Sequence, residues 1–316
     1  MAFRMREGES VAEGVRRIAG EQIDAAIADI CEHSLADDEK IHQVRKRCKQ
    51  LRALLRLVRP DLGEAYAREN AYFRDAARSL SPLRDAQSVL NAYDALMTRF
   101  DGEVERATFG AVRRRLTLRK KRRAREVTDM SLRFDRVRGL MEAARERVAT
   151  WPVDTTGADA WRGGFQQTYR RARRAMSAVY EAPTPEHFHE WRKSVKYHWY
   201  HTRILRPLWD DVLTARADAG DALGEMLGSH HDLVVLRATL LDEADGSGSG
   251  RPIALLIELI DRRRSELESD ARPLGMRLFA DKPARIGTRY GRYWDAWQED
   301  QRRRREKGQE PARATA

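Results

Sequence analysis

Two histidines, His42 and His189, each open the pattern His-x-x-Arg-Lys-x-x-Lys, at an offset of 147 residues. The same offset carries Arg45 onto Arg192, Lys46 onto Lys193, Lys49 onto Lys196, Arg56 onto Arg203 and Arg59-Pro60 onto Arg206-Pro207. Leu80 and Asp85 likewise fall onto Leu227 and Asp232. Guanidinium, ammonium and imidazole groups spaced by three and four residues do not make a hydrolytic machine; they make a row of donors for an anion with many oxygens. Self-similarity at a fixed period is the signature of a duplicated unit. The chain reads as two halves, 1–150 and 151–300, followed by a basic tail over 301–316 that is expected to be unstructured.

The element that must carry the first row is a helix. With His42 as zero on a wheel of 100° per residue, Arg45, Lys46, Lys49, Arg52 and Arg56 fall within roughly 80° on one side and 40° on the other. Val44, Cys48, Leu51, Leu55 and Val58 gather opposite, so one face is core and the other a cationic stripe about 20 Å long. From Ile41 to Arg59 there are seven Lys or Arg and no acid. Like charges at helical spacing cost about 0.2–0.5 kcal/mol per pair, a standing cost unless an anion faces them. In the second copy, Trp199 replaces Arg52, with Trp191, Tyr197 and Tyr200 around it. Such rings stack bases or pack helices, and packing is the expected role.

Apolar residues recur at helical spacing through nearly the whole chain and no two-residue alternation is sustained, so the fold class is all-α. Helices are expected near 10–34, 38–59, 62–79, 83–100, 104–126 and 130–149, then near 158–180, 186–206, 209–228, 231–245, 252–271 and 284–299. Pro60 and Pro82 fall at breaks, Thr150 to Gly157 is the linker between halves, and Asp245-Gly-Ser-Gly-Ser-Gly is a loop. The 316 residues carry 60 Lys+Arg against 49 Asp+Glu, a net charge of +11, which attracts polyanions without choosing among them. No apolar stretch spans a bilayer and the first residues lack a signal peptide's apolar core, so a cytoplasmic protein without membrane contact is expected. Cys31 and Cys48 show no metal spacing and require no disulfide.

Other basic residues were weighed in the same way. Arg113 to Arg125 holds nine Lys or Arg in 13 residues, too many for one face; Arg115, Arg119 and Arg122 share a face and are candidates for anion contact. Arg170 and Arg174, four residues apart before the second motif helix, are candidates too, with Arg285, Arg289 and Arg292 held more loosely. Asp85 and Asp232 are expected near helix starts, capping amides or orienting an arginine. His231-Asp232 superficially suggests a metal phosphohydrolase pair, but Arg84 stands where the second copy has His231 and no further ligands fall at useful spacing. No glycine-rich phosphate loop or Gly-x-Ser-x-Gly elbow occurs. Neither a metal nor a cofactor is expected.

The combination of His42-Gln-Val-Arg-Lys with Lys49, Arg52 and Arg56, His189-Glu-Trp-Arg-Lys with Lys196 and Arg203, Leu83-Arg84-Asp85, His230-His231-Asp232 and Tyr169-Arg-Arg-Ala-Arg-Arg-Ala resembles the CHAD domain, the conserved histidine α-helical domain, from about Ser10 to about Trp297. The resemblance implies two pseudo-twofold-related helical bundles, four-helix-bundle-like, whose basic helices line a shared central cavity or channel. It also implies binding of inorganic polyphosphate and association with polyphosphate granules. Family members often carry a CYTH domain, marked by Glu-x-Glu-x-Lys; Glu103-Val-Glu105 lacks the lysine, and a stand-alone, non-catalytic member with no obligate protein partner is expected. In that reading His42, Arg45, Lys46, Lys49, Arg52, Arg56, His189, Arg192, Lys193, Lys196 and Arg203 bind the polymer. The histidines act as donors that strengthen below pH about 6.5. Binding of RNA or other polyanions, and a phosphohistidine or phosphohydrolase enzyme, are the alternatives.

Overall fold

The structure, a computed structural model, describes residues 3–80, 84–126, 129–244 and 250–309. The expected break at Pro82, Leu83, the side chains of Arg84 and Asp85, the loop 245–249 and residues 310–316 lie outside the described residues. Among the described residues there are eleven α-helices and no named strand: α1 Val11–Cys31, α2 Asp37–Leu57, α3 Arg59–Ser79, α4 Arg84–Arg99, α5 Gly110–Glu126, α6 Met130–Val148, α7 Asp159–Glu181, α8 Pro185–Leu205, α9 Asp210–Ala244, α10 Gly250–Leu278 and α11 Pro283–Gln309.

Local chemistry explains the starts. Ser10 and Glu13 cap α1 reciprocally, Ser10 Oγ accepting from the Glu13 amide and Glu13 from the Ser10 amide. Asp37, Asp38 and Glu39 sit in the first turn of α2, where acids suit the positive end of the helix dipole. Thr184 caps α8 through the His187 amide, with Pro185 in the first turn. Pro60 opens α3, and Gly63, at φ 50°, puts a kink into it that a side chain would resist.

Three expected ends are overridden by packing. The break between 228 and 231 is absent, because Leu227, His230, Leu233 and Leu236 are buried at helical spacing and α9 continues through Gly228. Helix α10 runs past 271 and through Pro273, with Ala271 and Leu278 buried. The segment Gln301–Gln309, read as unstructured tail, is the end of α11: Trp297 and Gln301 are buried, Gln301 accepts from the Gly8 amide at 2.7 Å, and Arg302 and Arg303 both pair with Glu299. The linker around 150–157 is non-helical as expected, and pinned. Trp151 and Val153 are buried, and Thr155 donates to Asp61 through its amide and its hydroxyl.

The main core is continuous across both halves, joining α1–α3 and α6 to α7, α8, the first half of α9 and α11. A smaller core lies apart: α4 packs on α9 and α10, and α5 packs on α4, burying Tyr93, Phe100, Phe109, Leu236, Leu256 and Ile260. Helix α7 crosses the end of α2 so closely that a Cβ on Gly164 would overlap the carbonyl oxygens of Arg56 and Leu57. That crossing fixes α2 beside α7 and α8.

Candidate functional site: a cation-lined cavity between α2 and α8

Helix α2 buries Ile41, Val44, Cys48, Leu51 and Leu55, and turns its other face into a cavity of about 1090 Å³. Helix α8 does the same from the second half, burying Phe188, Trp191, Val195 and Ile204. Of the residues singled out from sequence, His42, Arg45, Lys46, Lys49, Arg52 and Arg56 line this space together with His189, Arg192, Lys193 and Lys196. Arg203 does not line it; its guanidinium lies 4.8 Å from the Trp199 ring and 6.0 Å from Phe3. Arg170 and Arg174 are exposed and stand outside the lining, where Arg171 is found instead. Arg115, Arg119 and Arg122 lie on α5, whose neighbour is α4, and are likewise outside it. Arg285, Arg289 and Arg292 on α11 are also absent from the wall.

The structure adds residues that the periodicity of α2 and α8 did not reveal. Arg74 and Arg78 come from α3, Arg59 and Tyr66 from its first turns, Arg171 from α7 and His231 from α9. The signal available was the spacing of Asn70, Arg74 and Arg78 at i, i+4 and i+8, one face of a helix that packs on α2. Among the described residues the lining holds twelve Lys or Arg against Glu190, Glu225 and Asp232, so its charge is strongly positive. The expectation that Asp232 stands near a helix start is corrected: α9 is continuous, and Asp232 lines the cavity from the middle of that helix.

The cations are held by two kinds of partner. Arg45 donates to the Ala77 carbonyl at 2.8 Å, and Arg56 to the Arg52 carbonyl at 2.9 Å and the Asn70 side-chain oxygen at 2.8 Å. On α8, Lys193 pairs with Glu190 at 2.6 Å, and Lys196 with Glu225 at 2.9 Å and Asp221 at 3.2 Å. Burial among neighbouring guanidinium groups holds Arg56 below the usual guanidinium range, still protonated at neutral pH. The aromatic rings in the wall carry cations over their faces: Arg56 lies 4.0 Å from the Tyr197 centroid, Arg59 4.5 Å from Tyr66 and Lys196 4.4 Å from Trp199. Of the second copy's aromatics, Trp191 and Tyr200 are buried in the helix packing expected of them, while Tyr197 and Trp199 are only partly buried and line the cavity.

His189 and His231 lie ring to ring in the wall, centroids 4.5 Å apart. Burial, with help from Lys193 and Arg192, pushes His189 below the ordinary imidazole value. Burial, His189 and Arg192 push His231 down to about 4. The expectation that His189 charges near pH 6.5 is therefore corrected downward, because charging it means adding a buried cation to a crowded set of cations. His230 is buried elsewhere, stacked on Phe188 with Nε2 2.8 Å from Glu268. The Cys48 thiol, buried at the base of α2, is pushed up to about 12 and is no nucleophile. Among the described residues no group of three or more His, Cys, Asp or Glu is placed to hold a metal ion, and no helix is long and apolar enough to cross a membrane.

Fold and site together define an all-helical protein that gathers cations from several helices around one cavity. The CHAD domain profile matches residues 18–241, and the chain belongs to the CHAD domain family. Its fold is similar to the crystal structure of the CHAD domain from the plant Ricinus communis, with a TM-score of 0.64 at 17% identity, covering 88% of this chain and 95% of that one. No curated protein matches the sequence.

Proposed function

We propose that this protein binds inorganic polyphosphate in the cavity between α2 and α8 and does not turn it over. The two motif helices act as repeat-related walls of one basic cavity, with the arginines and lysines of each reaching the phosphate oxygens. The observation that carries the reading is the concentration of twelve Lys or Arg in one lining, where Tyr66, Tyr197 and Trp199 each carry a cation over the ring. A polymer with a negative charge on every unit and no bases suits such a wall; a nucleic acid would need bare ring faces for its bases. The buried Cys48 thiol, pushed up to about 12, offers the polymer no thiolate nucleophile. In cells the protein would collect at polyphosphate granules.

The test is a competition titration at physiological salt, with labelled long-chain polyphosphate against single-stranded RNA, double-stranded DNA and triphosphate, and orthophosphate followed in the same tube. Polyphosphate is expected to win by about a hundredfold, roughly 2.7 kcal/mol, with no orthophosphate released. Equal competition by RNA would make the protein a general polyanion binder, and release of orthophosphate would make it an enzyme.

A further inference from the structure

Two cations on each wall are held by chemically different partners. On α8, Lys193 and Lys196 are fixed by the carboxylates of Glu190, Asp221 and Glu225. On α2, Arg52 Nε donates to Asn70 Oδ1 at 3.2 Å and Arg56 Nη1 donates to the same oxygen at 2.8 Å. Asn70 stands on α3, one turn before Arg74 and two before Arg78, and does not itself line the cavity. A carboxylate in its place would orient both guanidinium groups equally well and cancel one of their charges; the carboxamide oxygen, with two lone pairs, orients both and cancels none. Two guanidinium groups brought to one oxygen repel each other, so without an acceptor between them they would separate.

We propose that Asn70 is a positioning residue of the polyanion site, acting by clamping Arg52 and Arg56 side by side with their charge undiminished. This rests on the polyphosphate reading above. Arg52 and Arg56 are held by a neutral acceptor, whereas Lys193 and Lys196 must leave carboxylates to join the polymer. The neutrality of the clamp, rather than its shape, is the functional property.

Two variants separate charge from shape, with polyphosphate affinity measured from 50 to 300 mM salt by anisotropy of a labelled chain. Asn70→Asp keeps the shape and adds a charge. Its affinity is expected to fall about tenfold and its salt slope to shrink by about 0.7, as if one cation had been removed, while its thermal stability stays at or above that of the parent. Asn70→Ala keeps the charge and loses the clamp, so its affinity is expected to fall about threefold with the salt slope unchanged. Binding by Asn70→Asp within twofold of the parent at the same slope overturns the role of neutrality. Unchanged affinity in Asn70→Ala overturns the clamp, even should Asn70→Asp not fold. If the parent binds no polyphosphate, the functional reading falls first and this inference with it; if the parent binds and both variants match it, only the inference falls.

Discussion

Removing one cation from each wall, Arg52→Gln together with Arg192→Gln, should separate contact in the cavity from attraction by net charge. Both residues line the cavity, one on α2 and one on α8, and both are only partly buried. For a single-stranded polyanion each neutralised phosphate contributes about 0.7 to the slope of log affinity against log salt, so losing two contacts lowers the slope by about 1.4. Charge-assisted hydrogen bonds contribute about 1.5–3 kcal/mol each when intact, which puts the affinity loss at no less than about a hundredfold near 100 mM salt. The matched control is Arg170→Gln with Arg174→Gln, which removes the same formal charge from exposed positions outside the lining. It should leave the slope within about 0.3 of the parent and the affinity within about threefold. Anisotropy titrations of labelled polyphosphate at four salt concentrations read both numbers. Equal losses in the two double variants would refute the cavity as the binding site, whatever the affinity of the parent.

Protonation gives a second prediction. Burial and neighbouring cations hold the pKa values of His189 and His231 down, and an anion beside them favours their charged forms, so those values must rise on binding. Affinity should therefore strengthen as pH falls from 7 toward about 4, with proton uptake visible by calorimetry in buffers of different ionisation enthalpy; pH-independent affinity would count against it. Fold stability moves the other way with acid. His201, held near 3, and His198, held well below its ordinary value, are buried and neutral when folded but ionise near 6.5 when unfolded, so melting temperature should fall as pH drops below about 6.5 toward 3. Glu69, fully buried and paired with Arg147 at 3.0 Å, joins α3 to α6. Glu69→Ala should cost about 1–3 kcal/mol by removing the charge-assisted hydrogen bonds that the part-exposed Arg147 donates to it, a drop in melting temperature of about 5 °C. Gly164→Ala should push α7 off the end of α2 and weaken polyphosphate binding along with stability, which a paired melt and titration would show.

The stripe on α2 was legible because a repeat named it and because helical spacing separates its cations from Val44, Leu51 and Leu55 without help from tertiary structure. Arg74 and Arg78 were not. Acids at Glu69 and Asp75 make α3 look like an ordinary solvated helix, and only its packing on α2 turns one edge of it inward. Arg203 failed for the complementary reason: its place in the repeat matches Arg56, but Trp199 and Phe3 draw its guanidinium aside. Helix ends misled wherever a local breaker met a buried flank. Gly228 and Pro273 both sit in helices that continue because the residues beyond them have core to reach. The family resemblance supplied the polymer; no spacing in the chain could have distinguished phosphate oxygens on a nucleic acid from those on polyphosphate.

The separate small core has a consequence for how the chain is made. Helices α4 and α5 come before α6, yet Tyr93, Phe100 and Phe109 find cover on Leu236, Leu256 and Ile260, which are synthesised much later. At ribosomal rates of roughly 5–20 residues per second, the nascent chain displays these side chains for on the order of ten seconds while α1–α3 and α6 can already associate. During that interval the emerging protein is both strongly cationic and partly uncovered, and any abundant polyanion would meet the α2 stripe before the opposite wall exists.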